Sequence, residues 1–373
     1  TAAYYLQLMG HQATVFEKRA HLGGMLRYGI PCYRLPKDRL QYDLDAILAT
    51  GITVKRNTDI GRDIKLEELR DTFDAVYIAI GAHTDKKLGI EGEDKEGVIP
   101  AVEFLRKTGD GMRPDYTGKK AVVVGGGNVA MDAARTAVRL GAERVSVIYR
   151  RRQKDMTALP SEVEAAIAEG VEMVTLHAPA GIVSDEKGAV KAFRAQPQIV
   201  GRIGDDGRPS PRSAKQPEVV IPCDIVIMAV GQAVETASFE GAGVPVKGGT
   251  LAAETGGAVS AIPGCFTGGD CLSGPSTVIR AIEAGKAAAA SIDRYLGFNH
   301  RLEVKIDIPF TALREKPLMG RAEMTEREAA ERKCDFELCE KGMTREEAVR
   351  EASRCLRCDH FGFGALGGGN TEW

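Results

Sequence analysis

A run of glycines between a buried strand and a helix carries the most specific chemistry in this sequence. Residues 119–132 read KKAVVVGGGNVAMD, in which four apolar residues typical of a buried parallel strand precede the glycines and a helical pattern follows them. The spacing Gly125-x-Gly127-x-x-Ala130 fits a dinucleotide-binding turn, where small residues permit a tight turn and close approach to a pyrophosphate. The N-terminus of the helix would supply N–H groups to the phosphates. A structural glycine turn in another α/β unit is the alternative interpretation.

The next strand predicted in this unit, residues 145–149, ends at three consecutive arginines, Arg150, Arg151 and Arg152. An NAD site is expected to place an acidic residue near this position, about 20 residues after the glycines, where it binds ribose hydroxyls. Guanidinium groups pair instead with a phosphate, so the sequence favours NADP over NAD. A solvated basic loop is the alternative, and NAD would then remain open.

Two carboxylates follow other predicted strands. Glu17 ends the strand predicted at residues 13–17, where an acidic residue can bind ribose hydroxyls. Asp270 ends a strand in the sequence IPGCFTGGD and can accept a hydrogen bond from a ribityl hydroxyl. Thr277 and Val278 then begin a helix whose N-terminus can approach a pyrophosphate or the carbonyl edge of a flavin. An exposed loop acid at Glu17 and a helix-capping or turn acid at Asp270 are the alternatives.

The beginning of the sequence has the pattern of the second half of a βαβ unit. Residues 1–10 read as a helix already under way, and residues 13–17 read as the strand that follows it. The first strand of such a unit and its glycine turn would come before them. We therefore expect that residues preceding Thr1 are missing from this sequence.

Two buried strands with the same ending suggest an internal duplication. The strands predicted within residues 75–82 and 222–231 end in Ala-Ile-Gly and Ala-Val-Gly, with the glycines at Gly81 and Gly231. A buried strand that stops at a glycine is typical of parallel α/β units. The repeated pattern predicts two nucleotide-binding units in one chain.

The C-terminal region is charged and predicted to be helical over residues 324–354, and half of the eight cysteines lie near it. Two pairs, at Cys-x4-Cys and Cys-x-x-Cys spacing, supply four thiolates, enough to ligate one metal ion or cluster. These candidate ligands are Cys334, Cys339, Cys355 and Cys358. A [4Fe–4S] cluster, a zinc site and unligated cysteines that face a partner are the three interpretations that the spacing leaves open.

Length, charge and hydropathy exclude several classes of protein. The 373 residues suffice for two or three domains with sizeable cores. A formal net charge of −2 gives no sign of a nucleic-acid or membrane surface, and no apolar run reaches transmembrane length. Eight cysteines in a chain of this length do not form a disulfide scaffold and are typical of a reducing compartment. We therefore expect a cytoplasmic protein that binds neither nucleic acid nor membranes.

Five segments, taken in order, resemble the small subunit of bacterial glutamate synthase and its relatives. These proteins are FAD-dependent NAD(P)H oxidoreductases that exchange electrons with iron–sulfur partners. The segments read GGMLRYGIPCYRLP at 23–36, GGGNVAMD at 125–132, YRR at 149–151, GGD at 268–270 and AIEAG at 281–285. The resemblance extends over roughly the first four-fifths of the chain, and as an ordered set the segments are highly specific.

The resemblance implies an α/β fold with two dinucleotide-binding domains of the glutathione-reductase type. The NAD(P) domain is inserted in a split FAD domain, and a short helical C-terminal tail follows. Residues 100–114, with proline and glycine near their ends, are expected to lead into the inserted domain. The expected boundaries are 1–111 for the first part of the FAD domain, 112–230 for the NAD(P) domain, 231–310 for the second part of the FAD domain and 311–373 for the tail.

The resemblance also implies which residues hold the cofactors, FAD and either NADP or NAD. The expected FAD contacts are Glu17, Gly24, Leu26, Arg34, Gly81, Gly269, Asp270, Thr277 and Val278. The expected NAD(P) contacts are Gly125, Gly127, Asn128, Val129, Arg150, Arg151 and Gly231. Residues 344–358 look like part of the family's iron–sulfur domain placed at the C-terminus, so the four clustered cysteines are candidate ligands of one [4Fe–4S] cluster. No catalytic acid or base is predicted, because hydride transfer requires none.

The function that the resemblance implies is that of an electron-transfer subunit. It would move hydride between NAD(P)H and flavin, and single electrons between flavin and an iron–sulfur, ferredoxin-like partner subunit, in a complex that also holds a catalytic subunit. A disulfide reductase of the same fold is the first alternative. It needs a Cys-x-x-Cys pair beside the flavin, and the one such pair in the sequence lies in the tail. A non-catalytic scaffold subunit is the second alternative, and the intact glycine motif argues against it.

Overall fold

The computed structural model describes residues 1–204, 207–302 and 319–355. Within these ranges no helix combines the length and the hydropathy that are needed to cross a bilayer. The helices, in chain order, are α1 (Ala2–Leu8), α2 (Gly24–Tyr28), α3 (Lys37–Leu48), α4 (Leu66–Thr72), α5 (Ala101–Gly109), α6 (Asn128–Arg139), α7 (Pro160–Ala168), α8 (Ala237–Gly241), α9 (Asp270–Ser273), α10 (Val278–Tyr295), α11 (Ala329–Arg332) and α12 (Arg345–Ser353).

Short strands alternate with these helices. In chain order they are β1 (Thr14–Glu17), β2 (Thr53–Arg56), β3 (Val76–Ile78), β4 (Thr84–Asp85), β5 (Val98–Pro100), β6 (Lys120–Val124), β7 (Arg144–Tyr149), β8 (Glu172–Thr175), β9 (His177–Ser184), β10 (Val190–Ile203), β11 (Pro209–Ser213), β12 (Val219–Pro222), β13 (Ile225–Met228), β14 (Gln232–Ala233), β15 (Val246–Lys247), β16 (Thr250–Leu251) and β17 (Cys265–Thr267). This alternation of strands and helices confirms the predicted α/β fold.

The largest sheet is parallel and five-stranded, with the order β5-β13-β6-β7-β8. The apolar run before the glycines forms its middle strand, β6, as predicted. Val123 packs into the core that contains α6, whereas Val122 and Val124 pack into a second core with Phe193 of β10. Because both faces of the sheet are covered, an uninterrupted apolar strand is stable at this position. We call this sheet, with α6, α7 and the antiparallel strands β9 to β12, the second unit.

Helix α6 follows β6 at the predicted place and packs closely on the sheet. Its buried face includes four alanines that are fully buried: Ala130, Ala133, Ala134 and Ala137. Alanine at these positions lets the helix axis approach the strands. Gly141, the predicted stop, adopts a left-handed backbone with φ +91° after the helix ends.

Strands from both ends of the described chain form the first unit. β1 pairs in parallel with β2, and β3 pairs in parallel with β17, with Val76 opposite Cys265. Helix α1 packs on α10, where a Cβ on Gly285 would lie 2.8 Å from Cβ of Thr1. Since the strands of the second unit lie between β3 and β17 in the chain, the first unit is split, as predicted.

The positions of the domain boundaries stay a prediction. β5, residues Val98–Pro100, pairs with β13 in the five-stranded sheet, although it precedes the boundary expected at residue 112. The boundary expected after residue 310 lies outside the described residues. An antiparallel ribbon of β4 and β14 joins the two units. Its two strands follow the repeated glycines Gly81 and Gly231, which both have a positive φ.

Residues 101–109 form a helix, α5, where we expected only a connection. Phe104 and Leu105 of this helix are buried and pack in the same core as α6. Pro100 is the N-cap of α5 and Gly109 is its last residue, and both residue types are common at helix boundaries. The proline and glycine near the ends of this connection therefore mark the two ends of a helix.

The described part of the tail is less helical than predicted, because only α11 and α12 are helices there. Gly342, which has a left-handed backbone with φ +74°, lies near the end of the segment that connects the two helices. Thr344 then caps α12, since its hydroxyl accepts a hydrogen bond from the amide of Glu347 at 3.2 Å and the Glu347 carboxylate bonds back to the Thr344 amide at 2.8 Å. The segment between α11 and α12 contacts the N-terminal part of the chain, because the Cys339 amide donates a hydrogen bond to the Tyr33 carbonyl at 2.9 Å.

Candidate functional site

The protein itself requires two of the three glycines in the turn after β6. Gly125 has φ +146°, and a Cβ there would lie 2.2 Å from the carbonyl oxygen of Ala229. A Cβ on Gly126 would lie 2.4 Å from the ring of Tyr149. Both distances are shorter than any real carbon contact, so side chains at these two positions would displace neighbouring strands. The close packing of β6 against β13 and β7 therefore explains these glycines.

Gly127 differs, because no described residue would crowd a side chain placed there. Its backbone is extended with φ −101°, and the nearest atom to an added Cβ is Oγ1 of Thr157 at an ordinary 3.4 Å. Gly127 is the N-cap of α6, and the first amides of a helix have no partner within it. The turn thus combines an uncrowded surface with N–H groups suited to an anion.

The two residues that begin α6 were predicted to contact the nucleotide. The backbone amides of Asn128 and Val129 lie in the first turn of α6, as that prediction requires. The side chain of Asn128 has a different partner, because its Oδ1 accepts a hydrogen bond from the amide of Leu159 at 2.9 Å. The amides of Thr157 and Ala158 both donate to the Gly126 carbonyl at 3.0 Å. The loop before α7 is therefore fastened to the glycine turn, a contact that the sequence did not reveal.

The three arginines after β7 have three different environments. Arg150 is exposed and forms no ion pair with any described residue. Arg151 donates from Nε to the carbonyl of Pro209 at 2.9 Å. Arg152 forms two hydrogen bonds to the Asp155 carboxylate, at 2.7 and 2.9 Å. Of the three, Arg150 is the guanidinium available to a phosphate at the carboxyl edge of the sheet, where the glycine turn also lies.

In the first unit, residues predicted to contact FAD follow the carboxyl ends of three strands. Glu17 ends β1, Gly81 follows β3, and Asp270 follows β17. Glu17 Oε1 accepts a hydrogen bond from the Arg19 amide at 2.8 Å, and burial raises the pKa of this carboxyl. Burial also raises the pKa of Asp270, which accepts a hydrogen bond from the Ser276 amide at 3.2 Å. Carboxyl ends of parallel strands are where α/β proteins bind ligands.

The other predicted FAD residues lie on helix termini and glycine turns near these strands. Gly24 and Leu26 are in α2, and Gly24 has a left-handed backbone with φ +51°. Gly269, with φ +71°, precedes α9. Thr277 is the N-cap of α10, and Val278 in its first turn is 45% exposed. The glycines among these positions present backbone groups, and Thr277 and Val278 lie at a helix N-terminus, which suits close approach of an extended dinucleotide.

Arg34, also predicted at the FAD site, is engaged elsewhere in the structure. Its guanidinium lies 2.9 Å from the Asp132 carboxylate of α6 and 2.6 Å from the Glu162 carboxylate of α7. The neighbouring Tyr33 is fully buried, with its hydroxyl 3.1 Å from the carbonyl of Asp132 and the Arg139 guanidinium 3.9 Å above its ring. These contacts fasten the segment around Arg34 to the second unit, and its FAD role stays a prediction.

A buried group of charges that the sequence did not reveal lies beneath this segment. Glu169, fully buried at the end of α7, contacts the guanidinium groups of Arg135, Arg139 and Arg332 at 2.8, 2.6 and 2.9 Å. The thiol of Cys339 lies 3.5 Å from Arg135 and 3.4 Å from Arg139. We call these five residues the Glu169 cluster. It joins α6, the end of α7 and the C-terminal tail.

The Glu169 carboxylate is the centre of this cluster. Burial by itself raises the pKa of Glu169, but hydrogen bonds from Arg139 and Arg135 outweigh it and lower the pKa to about 2. The carboxylate is therefore charged at neutral pH, as three buried guanidinium groups require. The one sequence signal that could have found the cluster is the placement of Arg135 and Arg139, four residues apart, in an alanine-rich helix.

The described members of the predicted metal site are in separate surroundings. Cys339 is buried in the Glu169 cluster, whereas Cys334 is exposed and its thiol donates to the Ala330 carbonyl at 3.3 Å. Cys355 is exposed after α12, and Cys358 lies outside the described residues. A cluster at these four cysteines stays a prediction.

Within the described ranges, one group brings three metal-ligating side chains together: His11, Asp293 and His300. Nε2 of His11 and Nδ1 of His300 lie 2.8 and 2.7 Å from the same Asp293 oxygen. The second Asp293 oxygen accepts the His300 amide at 2.8 Å. Hydrogen bonds thus account for this group, which ties the α1–β1 loop to the end of α10.

A crevice of about 410 Å³ opens where the two units meet. Its walls come from the ribbon strand β4, from α5 and from the carboxyl ends of β5 and β13. They include His83, Asp85, Pro100, Val102, Arg106 and Met228. Asp85 shapes this wall, since its Oδ1 accepts the amide of Val102 at 3.0 Å.

Comparisons with known proteins agree with this arrangement. The family model described as pyridine nucleotide-disulphide oxidoreductase matches residues 1–285. The chain is similar to the beta subunit of the NADP(+)-dependent formate dehydrogenase of Moorella thermoacetica, with 39% identity over 99% of this chain and 54% of that protein. The chain therefore spans about half the length of this relative.

Two further comparisons concern the family and the fold. The glutamate synthase [NADPH] small chain of Escherichia coli (strain K12) is 33% identical over 77% of this chain and 64% of that protein, which confirms the resemblance drawn from the five segments. Among solved structures, Mycobacterium tuberculosis FprA in complex with NADPH superposes with a TM-score of 0.67 and 20% identity, over 79% of this chain and 82% of that one. This likeness confirms the predicted arrangement of two nucleotide-binding units.

Proposed function

The chain belongs to the pyridine nucleotide-disulphide oxidoreductase family, and from that premise we propose that it is an FAD-dependent NAD(P)H oxidoreductase and an electron-transfer subunit of a larger complex. The observation that carries the proposal is the turn at Gly127. Contacts within the protein explain why Gly125 and Gly126 are glycines, but they do not explain Gly127. A pyrophosphate bound at the start of α6 explains it, with Arg150 nearby for a further phosphate.

We place FAD in the first unit, where the residues present fit a dinucleotide. Several glycines there have left-handed backbones and leave main-chain groups open. The proposed contacts are Glu17, Gly24, Leu26, Gly81, Gly269, Asp270, Thr277 and Val278. Bound FAD supplies the redox chemistry, since a flavin exchanges hydride with a pyridine nucleotide and electrons singly with other partners. The protein binds and orients both dinucleotides at the carboxyl ends of its strands, and the ribbon of β4 and β14 joins the two units.

We place the pyridine nucleotide in the second unit, against Gly125, Gly127, Asn128, Val129, Arg150, Arg151 and Gly231. The proposal favours NADP over NAD because Arg150 forms no ion pair with a described residue and lies at the edge that holds the glycine turn. A guanidinium binds a phosphate through two parallel hydrogen bonds. The adenosine ribose of NADP carries such a phosphate, and the ribose of NAD carries a hydroxyl in its place. The relative from Moorella thermoacetica is named as NADP(+)-dependent, in line with this choice.

Arg150→Gln is expected to weaken NADPH binding by about 10–100-fold, because a hydrogen bond to a charged group contributes about 1.5–3 kcal/mol. NADH binding should change little. Titration of the purified protein with each nucleotide measures both effects. The matched control is Arg144→Gln, which removes an exposed arginine from the opposite end of β7, where Glu172 pairs with it at 2.7 Å. Equal losses for NADPH and NADH, or no loss for NADPH, would contradict the role of Arg150.

The partner in this proposal is an iron–sulfur, ferredoxin-like subunit, and a catalytic subunit completes the complex. The support is that the formate dehydrogenase relative is named as a beta subunit and the glutamate synthase relative as a small chain. A cytoplasmic location, suggested by cysteine usage, belongs to the same proposal. So does a [4Fe–4S] cluster at Cys334, Cys339, Cys355 and Cys358, for which the sequence spacing is the support.

The contacts of the first-unit cysteines speak against the disulfide-reductase alternative. Cys271 lies directly after Asp270, but it is buried, and its thiol contacts the Thr267 hydroxyl at 3.3 Å and the Ile78 carbonyl at 3.4 Å. The seven described cysteines carry free thiols. A redox-active pair would need a second cysteine three residues away, and the sequence offers that spacing only in the tail.

The experiment that tests the electron-transfer role is reduction of a ferredoxin by the purified protein. The protein is loaded with FAD and supplied anaerobically with NADPH and an oxidised bacterial ferredoxin. We expect the ferredoxin spectrum to bleach, or oxidised NADP to be reduced when the ferredoxin is supplied reduced. Reduction of a disulfide substrate to its dithiol by NADPH, with no electron transfer to or from ferredoxin, would favour the disulfide reductase instead.

A further inference from the structure

The segment between α2 and α3 follows the first strand of the first unit, yet the second unit binds its side chains. The Arg34 guanidinium lies 2.9 Å from both oxygens of the Asp132 carboxylate in α6 and 2.6 Å from the Glu162 carboxylate in α7. The side chains of Arg34, Asp132 and Glu162 are 23%, 6% and 15% exposed, so water screens these ion pairs only in part. We call these three residues the interunit latch.

Tyr33, next to the latch, is bound by the second unit and by the tail. Its hydroxyl lies 3.1 Å from the Asp132 carbonyl and 3.3 Å from the Thr136 hydroxyl. Its own carbonyl accepts the Cys339 amide at 2.9 Å, and the ring of Phe336 lies 6.3 Å from its ring, centroid to centroid. The segment is therefore held by α6 and by the tail at once.

The two units are also joined in other places. The ribbon of β4 and β14 connects them through strands of two residues each, and α2 packs on α5. Gly81 and Gly231, both with a positive φ, precede the ribbon strands, and short segments of this kind are where domains hinge. The latch lies on different elements, α6 and α7, so it restricts rotation of the units about the ribbon.

The proposed reaction depends on the relative position of the units, since the flavin is placed in the first unit and the pyridine nucleotide in the second. Hydride transfer breaks the C4–H bond of the nicotinamide and forms an N–H bond on the flavin, so that NADPH becomes NADP⁺ and FAD becomes FADH⁻. A displacement of about 1 Å between the reacting atoms can cost about 100-fold in rate. A contact between the units can therefore control the rate without touching either dinucleotide.

We propose that Arg34 is a positioning residue for hydride transfer, whose ion pairs with Asp132 and Glu162 hold the units in the arrangement that brings the nicotinamide to the flavin. The inference rests on the proposed function, because it assumes that the two dinucleotides bind as placed above. It replaces the FAD contact that the resemblance implied for Arg34 with a contact between the units. Two carboxylates already occupy the guanidinium, and both belong to the second unit.

Arg34→Met tests the inference in the full chain loaded with FAD. We expect the rate of flavin bleaching at saturating NADPH, measured anaerobically by stopped flow, to fall by about 10–100-fold. The dissociation constants of FAD and NADP⁺ should change by less than about twofold, since both binding sites are intact. Arg34→Lys, which keeps the charge but loses the planar fork that reaches two carboxylates, should recover part of the rate.

A second readout follows the units without any reaction. Spin labels on noncanonical residues at positions 42 and 220 would mark exposed sites in α3 and β12, and pulsed EPR measures the distance between them. The inference predicts a narrow distance distribution for the unaltered protein and a broader or shifted one for Arg34→Met.

A double variant separates positioning from folding. Arg34→Met leaves Asp132 without an ion-pair partner in the described part of the chain, and an unpaired buried carboxylate lowers stability. Arg34→Met combined with Asp132→Asn removes both charges, while Glu162 keeps Arg135 at 2.8 Å. The melting temperature of the double variant should return towards that of the unaltered protein, whereas its hydride-transfer rate should stay low. A rate that recovers together with the melting temperature would overturn the inference, because Arg34 would then act only on stability.

Arg194→Met is the matched control. Arg194 also shares two carboxylates, those of Glu91 at 2.7 Å and Glu218 at 3.6 Å, but these contacts lie beside the antiparallel strands of the second unit. This variant should leave the rate and the distance distribution unchanged.

The outcomes distinguish the inference from the proposed function. If NADPH reduces the unaltered protein, then an unchanged rate, an unchanged distance distribution or a loss of FAD affinity in Arg34→Met would overturn the inference alone, the last in favour of a direct FAD contact. If NADPH does not reduce the unaltered FAD-loaded protein, the proposed function fails and this inference fails with it.

Discussion

Replacing Glu169 with glutamine is expected to lower the free energy of unfolding by about 3–5 kcal/mol, the usual cost of removing one charged partner from a buried ion pair. Glu169 is the carboxylate that three buried guanidinium groups share, those of Arg135, Arg139 and Arg332. A neutral amide at this place would leave the buried Arg139 without a carboxylate among the described residues. It would also take one of two carboxylates from Arg135 and from Arg332, which pair with Glu162 and Glu326 as well. Equilibrium denaturation with urea, followed by circular dichroism, measures the change.

Glu172→Gln is the matched control for this prediction. Glu172 also pairs with an arginine, Arg144 at 2.7 Å, but both side chains are about half exposed. Solvent screens such a pair, so the same substitution should cost less than about 1 kcal/mol. Equal and small effects of the two substitutions would show that Glu169 is not the centre of a buried charge cluster.

The pH dependence of stability gives an independent check on Glu169. Its pKa of about 2 in the folded protein lies below the value of about 4.3 for an unfolded chain. The unfolded state therefore binds a proton more readily between these values, and stability falls as the pH drops from about 4.5 towards 2. Glu169→Gln should lack this part of the acid-induced loss, whereas Glu172→Gln should retain it.

Gly125→Ala is the second substitution with a large expected effect. The new methyl group would meet the Ala229 carbonyl oxygen at 2.2 Å, and the backbone would be held at φ +146°, which disfavours any side chain. Strain and overpacking together should lower the free energy of unfolding by about 2–5 kcal/mol. NADPH binding should be lost with it, because β6 and β13 must separate at the turn.

Gly127→Ala separates the fold from the ligand at the same turn. An added methyl group would lie 3.4 Å from Oγ1 of Thr157, so stability should change by less than about 1 kcal/mol. NADPH affinity should nevertheless fall by more than about tenfold, since the methyl group would occupy the surface proposed for the pyrophosphate. Unchanged NADPH binding by Gly127→Ala would contradict the placement of the nucleotide at this turn.

The local features of the second unit could be predicted from the sequence because they are consecutive in the chain. The strand β6, the glycines and the alanine face of α6 follow one another, so their spacing alone specifies strand, turn and helix. The roles of the three arginines could not be separated in this way. The structure separates them, because Pro209 and Asp155 engage Arg151 and Arg152, whereas Arg150 has no ion-pair partner in the described part of the chain.

Contacts between distant segments could not be predicted. Glu169 reads in the sequence as an ordinary surface acid, because charged residues are mostly solvated, yet Arg332 reaches it from the tail. Arg34 reads as part of a cofactor loop, but it pairs with Asp132 and Glu162. Each of these roles depends on which segments meet in space, and spacing along the chain does not record that.

Anaerobic titration of the FAD-loaded protein with NADPH, and separately with NADH, is the measurement that decides between a working oxidoreductase and a protein that has only kept the fold. The proposed function predicts that the protein retains FAD after desalting and that NADPH bleaches its visible absorption stoichiometrically, at far lower concentration than NADH. The preference follows from Arg150, whereas the turn at Gly127 would hold the pyrophosphate of either nucleotide. A protein that retains no FAD, or whose bound flavin responds to neither nucleotide, would contradict it.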